Sequence, residues 1–354
     1  MNGLLCYCRS GFEPELAAEL TSRAADAGFA GYARTERHCG YVVFACDDAA
    51  ALDAALPWDE LIFARQKLRL LAELRGLDPK DRISPILAAL EGPALRFGTL
   101  LVEHPDSDAG KPLAGLARAF GNALRPALRK ARLLTPADND LLPRLHVCFV
   151  DGDHAFVAQA MPADSAPWPL GIPRLRLHAD APSRSALKLE EALLTLLDDE
   201  ERARLLHDNM HAADLGAAPG GWTWVLTRHG IRVQAIDNGP LREHVADSGL
   251  VEHLRADGFQ WQPQRPLDWM VCDMVEQPRR VAERMATWLR EGWCRHTVFN
   301  LKLPMKKRWD ETQSCLDLFV RQAEKPLLVR ARQLYHDREE ITVFATVPSR
   351  QTRR

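Results

Sequence analysis

Apolar positions recur along this chain with two periods, and the alternation between them outlines most of its elements. An apolar run at Leu4 to Cys8 predicts a strand, the stripe Leu16, Leu20 and Ala24 predicts an amphipathic helix over Pro14 to Gly28, and Gly40 to Cys46 predicts a second strand. The pattern restarts at Pro57. Strand patterns follow at Lys67 to Leu74, Thr99 to Glu103, Leu145 to Val150 and His154 to Gln159, with helical patterns near Ile83 to Leu90 and from Leu113 to Leu133. Met161 to Ser183 carries five prolines, the composition of a stiff connector. Beyond it a helix over Ala186 to Leu197, with a serine as its N-cap, opens a stretch where apolar runs and helices alternate to the end. Its last parts are a helix at Arg279 to Leu289, a strand at Thr297 to Lys302, a helix at Glu311 to Glu324, and strands at Leu327 to Arg332 and Ile341 to Val347. We therefore expect an α+β unit at 1–55, a second α/β module at 56–165, a linker at 166–184, an α/β sheet domain at 185–348, and a basic tail at 349–354.

One stretch of the sheet domain carries candidate chemistry. His211 to Trp224, HAADLGAAPGGWTW, reads as strand, glycine loop, helix, the form of a ligand-cradling turn. Gly216, Gly220 and Gly221 would let backbone N–H groups approach a bound molecule, and the helix would present its positive end to it. The next strand, Ile231 to Ile236, ends in Asp237, placed to accept hydrogen bonds from a ribose diol. The spacing is G-x-x-P-G-G rather than the G-x-G-x-x-G of a dinucleotide site, with Ala217, Ala218 and Pro219 occupying the approach of a pyrophosphate. Acids recur at the ends of successive apolar runs: Asp214, Asp237, Asp257 and Asp273. Four carboxylates around one crevice suit a cationic, hydroxyl-rich ligand such as S-adenosyl-L-methionine better than a pyrophosphate. The candidate donor-binding residues are Ser185, Asp214, Gly216, Ala218, Pro219, Gly220, Gly221, Asp237, Asp257 and Asp273.

Composition narrows the class. A chain of 354 residues, 46% hydrophobic, is long enough for two or three cored domains. Its net charge of −2 excludes a globally basic nucleic-acid binder, so RNA contacts must come from local patches. One such patch lies between Ala109 and Ala137, which holds six basic residues and no acid. There Arg118, Arg125, Arg129 and Arg132 fall near one helical face, although Pro126 either kinks the helix or starts a new one. Eight scattered cysteines without a C-x-x-C pair point to reduced thiols in a cytoplasmic protein, and no spacing proposes a metal. With no leader-like N-terminus and no bilayer-length apolar run, we expect a soluble protein without a membrane partner.

Several strings carry a family resemblance. Lys188, DLGAAPGGWT, Asp273 in VCDM, Lys302 in FNLKLPMKKR and Glu340 in DREEITVFAT resemble the K-D-K-E tetrad of FtsJ-type ribose 2′-O-methyltransferases. GFEPELAAEL, LIFARQ, DNGP, MVCDMVEQP and RQLYHDREE resemble the RlmM family of bacterial large-subunit rRNA cytidine 2′-O-methyltransferases, over essentially the whole chain. The resemblance implies a ferredoxin-like unit, a THUMP RNA-binding module and a Rossmann-like methyltransferase domain. It further implies action on a cytidine in the peptidyl-transferase region of 23S rRNA; separately, we expect a monomer. One departure is Ala218, where relatives often carry Cys.

A ribose 2′-hydroxyl is a poor nucleophile at neutral pH, so methyl transfer to it needs a base and an in-line approach. Lys302, at the end of an apolar strand, is the candidate base, with partial desolvation and the ammonium of Lys188 favouring its neutral form. Asp273 would position the lysines and donor, and Glu340 would orient Lys188 or the ribose. Lys306, Lys307 and Arg308, just beyond, read as rRNA phosphate contacts. The marks of exocyclic-amine and ring-carbon methylation, an Asn/Asp-Pro-Pro-aromatic loop and a Pro-Cys pair, are absent from the sequence. Two rival classes share parts of the pattern: an NAD(P)-linked oxidoreductase, and a catalytically silent RNA-binding assembly factor.

Overall fold

The computed structural model describes residues 2–92 and 95–348; the expected basic tail lies outside them. Two compact units divide the chain between Pro173 and Arg174. The first contains β1 (Gly3–Tyr7), α1 (Glu13–Asp26), β2 (Gly31–Arg34), β3 (Tyr41–Cys46), α2 (Ala49–Ala55), β4 (Gln66–Leu74), α3 (Ile83–Ala89), β5 (Thr99–Glu103), α4 (Ala114–Lys130), β6 (Arg144–Asp151) and β7 (His154–Ala160). Its strands form a single sheet in the order β2-β3-β1-β4-β7-β6-β5, in which β5 and β6 run parallel and the other neighbours antiparallel. Pairing of β1 with β4 joins strands of both modules expected from the sequence. The first half of the expected linker also packs here, with Ala166 N–H donating to Gln66 Oε1 at 3.0 Å and Leu170 N–H to Glu103 Oε1 at 2.6 Å.

Helix α4 passes through Pro126 without ending. Proline removes one backbone donor and clashes with the preceding turn, at a cost of about 3 kcal/mol in a helix interior. The buried stripe Ala117, Phe120, Leu124 and Leu128 keeps the helix against the sheet regardless, because four core side chains at helical spacing outweigh that cost.

The second unit contains α5 (Ala186–Leu196), α6 (Asp199–Leu205), β8 (His211–Leu215), α7 (Gly221–Arg228), β9 (Arg232–Ile236), α8 (Glu243–Ala246), β10 (Val251–Leu254), β11 (Trp269–Cys272), α9 (Pro278–Arg290), β12 (His296–Lys302), α10 (Arg308–Ala323), β13 (Leu328–Arg332) and β14 (Glu340–Thr346). The strand order is β10-β9-β8-β11-β12-β14-β13. The strands from β10 to β12 are parallel, while β14 runs antiparallel to both β12 and β13. Strand order reverses between β8 and β11, and in such sheets the crevice opens outside the carboxyl ends of the strands at that point. Asp214 near the end of β8 and Asp273 just after β11 stand on its two sides.

Trp269 anchors this sheet. It is fully buried, its indole N–H donates to Leu205 O at 2.7 Å, and its ring packs against His296 and Phe344. Trp269→Ala should lower the unfolding free energy of the second unit by about 3–5 kcal/mol, the usual cost of emptying a buried tryptophan site. A urea titration followed by far-UV circular dichroism measures it.

Candidate active site

The glycine loop after β8 folds around its own backbone. Gly216 and Gly220 take positive φ (+79° and +110°), which few side chains tolerate, and Gly220 caps α7. A Cβ on Gly216 would lie 2.5 Å from Met274 Cγ, and one on Gly221 would lie 2.2 Å from Ser185 Oγ. The sequence suggested that this loop offers backbone N–H donors. Instead, Gly216 and Ala217 donate to Ile236 O, Ala218 to Asp237 Oδ2 at 2.9 Å, and Gly220 to Ala217 O. Pro219 has no N–H, so the loop supplies room more than donors.

The carboxylates expected at the strand ends divide into different settings. Asp214 is buried, accepts a hydrogen bond from Thr223 Oγ1 at 2.7 Å, and has its pKa pushed up to about 7 by that burial. Asp237 accepts from the N–H groups of Ala218 and Gly239, one on each oxygen, so each oxygen can still accept once more. Asp257 is exposed, accepts from Phe259 N–H, and lines the rim of the crevice together with Asp237. Two adjoining cavities share Gly216, Ala218 and Asp273: one reaches Ser183, Ser185 and Asp214, and the other reaches Asp237, Asp257 and Phe259. Ser185 corrects its expected role. It occupies the N-cap position of α5, but its φ/ψ are helical and its hydroxyl meets Ser183 Oγ at 2.6 Å instead of capping.

Beside this crevice four side chains from distant parts of the chain meet. Lys188 comes from the first turn of α5, Asp273 follows β11, Lys302 ends β12, and Glu340 begins β14, directly opposite Lys302 in the antiparallel register. Lys188 Nζ lies 2.5 Å from Glu340 Oε1 and 3.3 Å from Asp273 Oδ2. Lys302 Nζ bonds Glu340 Oε2 and stands 3.5 Å from Asp273 Oδ1. Burial alone would push the Glu340 carboxyl up, but the hydrogen bonds and charges of both lysines outweigh it and hold it below the usual carboxylate range. Burial would likewise lower Lys188; Asp273 and Glu340 outweigh that and raise it, so Lys188 stays an ammonium.

Sequence reasoning passed over the groups that hold this cluster. Glu191, one turn after Lys188, accepts from the Tyr335 and His336 N–H groups at 2.8 and 2.9 Å and meets His336 Nδ1 at 2.6 Å, tying α5 to the loop that leads into Glu340. Asn300 Nδ2 donates to Asp273 Oδ1 at 2.7 Å, and Thr342 Oγ1 donates to Asn300 Oδ1 at 2.7 Å. The available signal was an amide inside an otherwise apolar strand, VFNL, where a lone polar side chain needs a partner.

The basic candidates are placed elsewhere. Lys306 and Lys307 are exposed in the loop after β12, and Arg308, at the start of α10, is ion-paired to Glu339. In the first unit Arg118 and Arg132 are exposed, whereas Arg125 donates to Leu100 O and Arg129 to Thr135 O and Pro136 O. The one-sign face is thus partly engaged with its own backbone. Among the described residues no helix is long and apolar enough to cross a membrane, and no group of three or more His, Cys, Asp or Glu could hold a metal ion.

Known proteins match this arrangement along its length. Residues 1–68 match the RlmM ferredoxin-like domain, 81–161 the N-terminal region of ribosomal RNA large subunit methyltransferase M, and 181–324 the FtsJ-like methyltransferase domain. Ribosomal RNA large subunit methyltransferase M of Xanthomonas campestris pv. campestris is 76% identical over 345 residues, which span 98% of this chain and 99% of the relative. The chain belongs to the ribosomal RNA large subunit methyltransferase M family. Its counterpart in Xanthomonas oryzae pv. oryzae is 75% identical over the same share of each chain. Among solved structures, TrmN from Thermus thermophilus aligns over 98% of this chain and 100% of its own at 16% identity and a TM-score of 0.37, too slight a likeness to bear on function. Lys188, Asp273 and Lys302 fall inside the FtsJ-like span and Glu340 lies beyond it.

The raised Asp214 has a consequence for stability. Between pH 4 and about 7 the folded chain keeps a proton that an unfolded aspartate has released, so this group's contribution is full below pH 4 and lost as pH rises through about 7. Asp214→Asn should remove that share of the pH slope, seen as a smaller fall in Tm between pH 5 and 8 than in the parent chain.

Proposed function

We propose that this chain transfers a methyl group from S-adenosyl-L-methionine to the ribose 2′-hydroxyl of a cytidine in 23S rRNA, with Lys302 as general base. The observation that carries the reading is the meeting of Lys188, Asp273, Lys302 and Glu340 beside the glycine-loop crevice, which Asp273 lines. Family membership supports methyl transfer to large-subunit rRNA. The cytidine and the 2′-hydroxyl rest on the likeness of the tetrad and its flanking strings to their family counterparts. The crevice fits the donor by its chemistry: room without Cβ atoms at Gly216 and Gly221, Asp214 and Asp273 at one end, and Asp237 with open acceptor positions at the other. When bound, S-adenosyl-L-methionine supplies an electrophilic methyl on a positively charged sulfur.

The residues divide the work. Lys302 takes the hydroxyl proton as the ribose oxygen takes the methyl, and ends as an ammonium already provided with carboxylate partners. Lys188, held charged, shares both carboxylates with it. Asp273 and Glu340 bridge both lysines and fix the spacing an in-line approach needs. Exposed Lys306, Lys307, Arg118 and Arg132 are available for phosphate contacts, with the first unit acting as a ferredoxin-like and THUMP RNA-binding part of a monomer in the cytoplasm.

Lys302→Ala should reduce transfer of labelled methyl to unmodified 23S rRNA by at least about 10³-fold while calorimetric binding of S-adenosylhomocysteine persists. Turnover near the parent rate in that variant would remove Lys302 from the base role.

A further inference from the structure

Two donors compete for one oxygen at the centre of the cluster. Asp273 Oδ1 receives Asn300 Nδ2 at 2.7 Å and faces Lys302 Nζ at 3.5 Å. Asn300 and Lys302 are two apart on β12, so both side chains lie on one face of the sheet, and Asn300 is completely buried. Its amide has one workable orientation. Thr342, its cross-strand partner in the β12–β14 register, directs its hydroxyl to Asn300 Oδ1. A turned amide would set oxygen against the Asp273 carboxylate.

The proton count extends the chain one step further. A threonine hydroxyl has a single proton, and here it is given to Asn300. Thr342 Oγ1 also lies 3.0 and 3.3 Å from the oxygens of Asp337, which hold the hydroxyl in place. Asp337 is 1% exposed, and burial together with the charge of Glu340 raises its carboxyl well above the usual range. Its own backbone partner is the N–H of Leu334. The hydrogen bonds from Thr342 to Asn300 to Asp273 therefore run in one direction, with Asp337 packed against the hydroxyl that starts them.

We propose that Asn300, aligned by Thr342, is a positioning residue that keeps the Asp273 carboxylate from pairing more closely with the Lys302 amine. This rests on the reading of Lys302 as the base. Glu340 already bonds that amine; a second carboxylate drawn onto it would favour the ammonium further, and an ammonium cannot accept the hydroxyl proton. The other charged groups facing the cluster are Lys188 and Glu191, the latter carrying His336, from α5; Asp214 from β8; and Glu340 from β14. None of their hydrogen bonds has Asn300 as a partner.

The test is the pH dependence of kcat/KM for methyl transfer to unmodified 23S rRNA. Thr342→Val keeps shape and burial but loses the hydroxyl, and Asn300→Ala removes the amide. Both should move the acid limb up by about one pH unit, with transfer at pH 7 down about tenfold, recovered near pH 9, and the donor KM unchanged. Asp337→Asn, which keeps a hydrogen-bonding group beside Thr342, should shift the limb less than Asp337→Leu. If Thr342→Val leaves the limb in place, or loses activity equally at every pH, while Lys302→Ala remains inactive, the positioning role of Asn300 is overturned and the base stands. If Lys302→Ala retains transfer, the base reading itself fails and this proposal falls with it.

Discussion

Two lysines and two carboxylates, packed at the carboxyl ends of the parallel strands, are the constraint the second unit is built to satisfy. A charge withdrawn from water is costly unless partnered, and here each lysine meets both Asp273 and Glu340. Bringing them together requires α5 to lie where Lys188 reaches the sheet, β11 and β12 to be neighbours, and β14 to run antiparallel so that its first residue faces the last of β12. Glu191 closes the arrangement by fixing the loop that delivers Glu340. The reversal of strand order between β8 and β11 opens a crevice at the same edge, so the ion cluster and the cavity are products of one topology.

The glycine loop and the cluster serve that crevice in different ways. The N–H groups of Gly216, Ala217, Ala218 and Gly220 are bonded to Ile236, Asp237 and Ala217, and what these residues give a ligand is closeness of approach. The cluster gives charge and proton capacity. Between them Asp214 is a buried acid poised near neutrality, which a cationic ligand end would favour in its ionised form.

Much of this was legible in the residues. The strand ending in Lys302, the helix beginning at Ala186 and the loop after Asp214 follow from period and glycine placement, and the structure sets them within a residue or two of expectation. β2 and α2 escaped because four and seven residues are too few to establish a period. Asn300, Thr342, Asp337 and Glu191 escaped for another reason. Their meaning lies in cross-strand register and long-range pairing, which a linear pattern does not contain. Ser185 and the arginines of α4 show the converse: residue type and spacing suggested a cap and a free basic face, while local packing gave the hydroxyl to Ser183 and two guanidinium groups to backbone carbonyls.

The most direct measurement is a crystal structure of the chain with S-adenosylhomocysteine. The account places its adenosine by Gly220 and Asp237, with the sulfur turned toward Asp273 and the Lys302 amine. A ligand seated instead at the opposite strand ends, in the cavity of about 390 Å³ lined by His211, Arg232 and Arg265, would contradict it. So would a Lys302 amine turned out of the glycine-lined crevice.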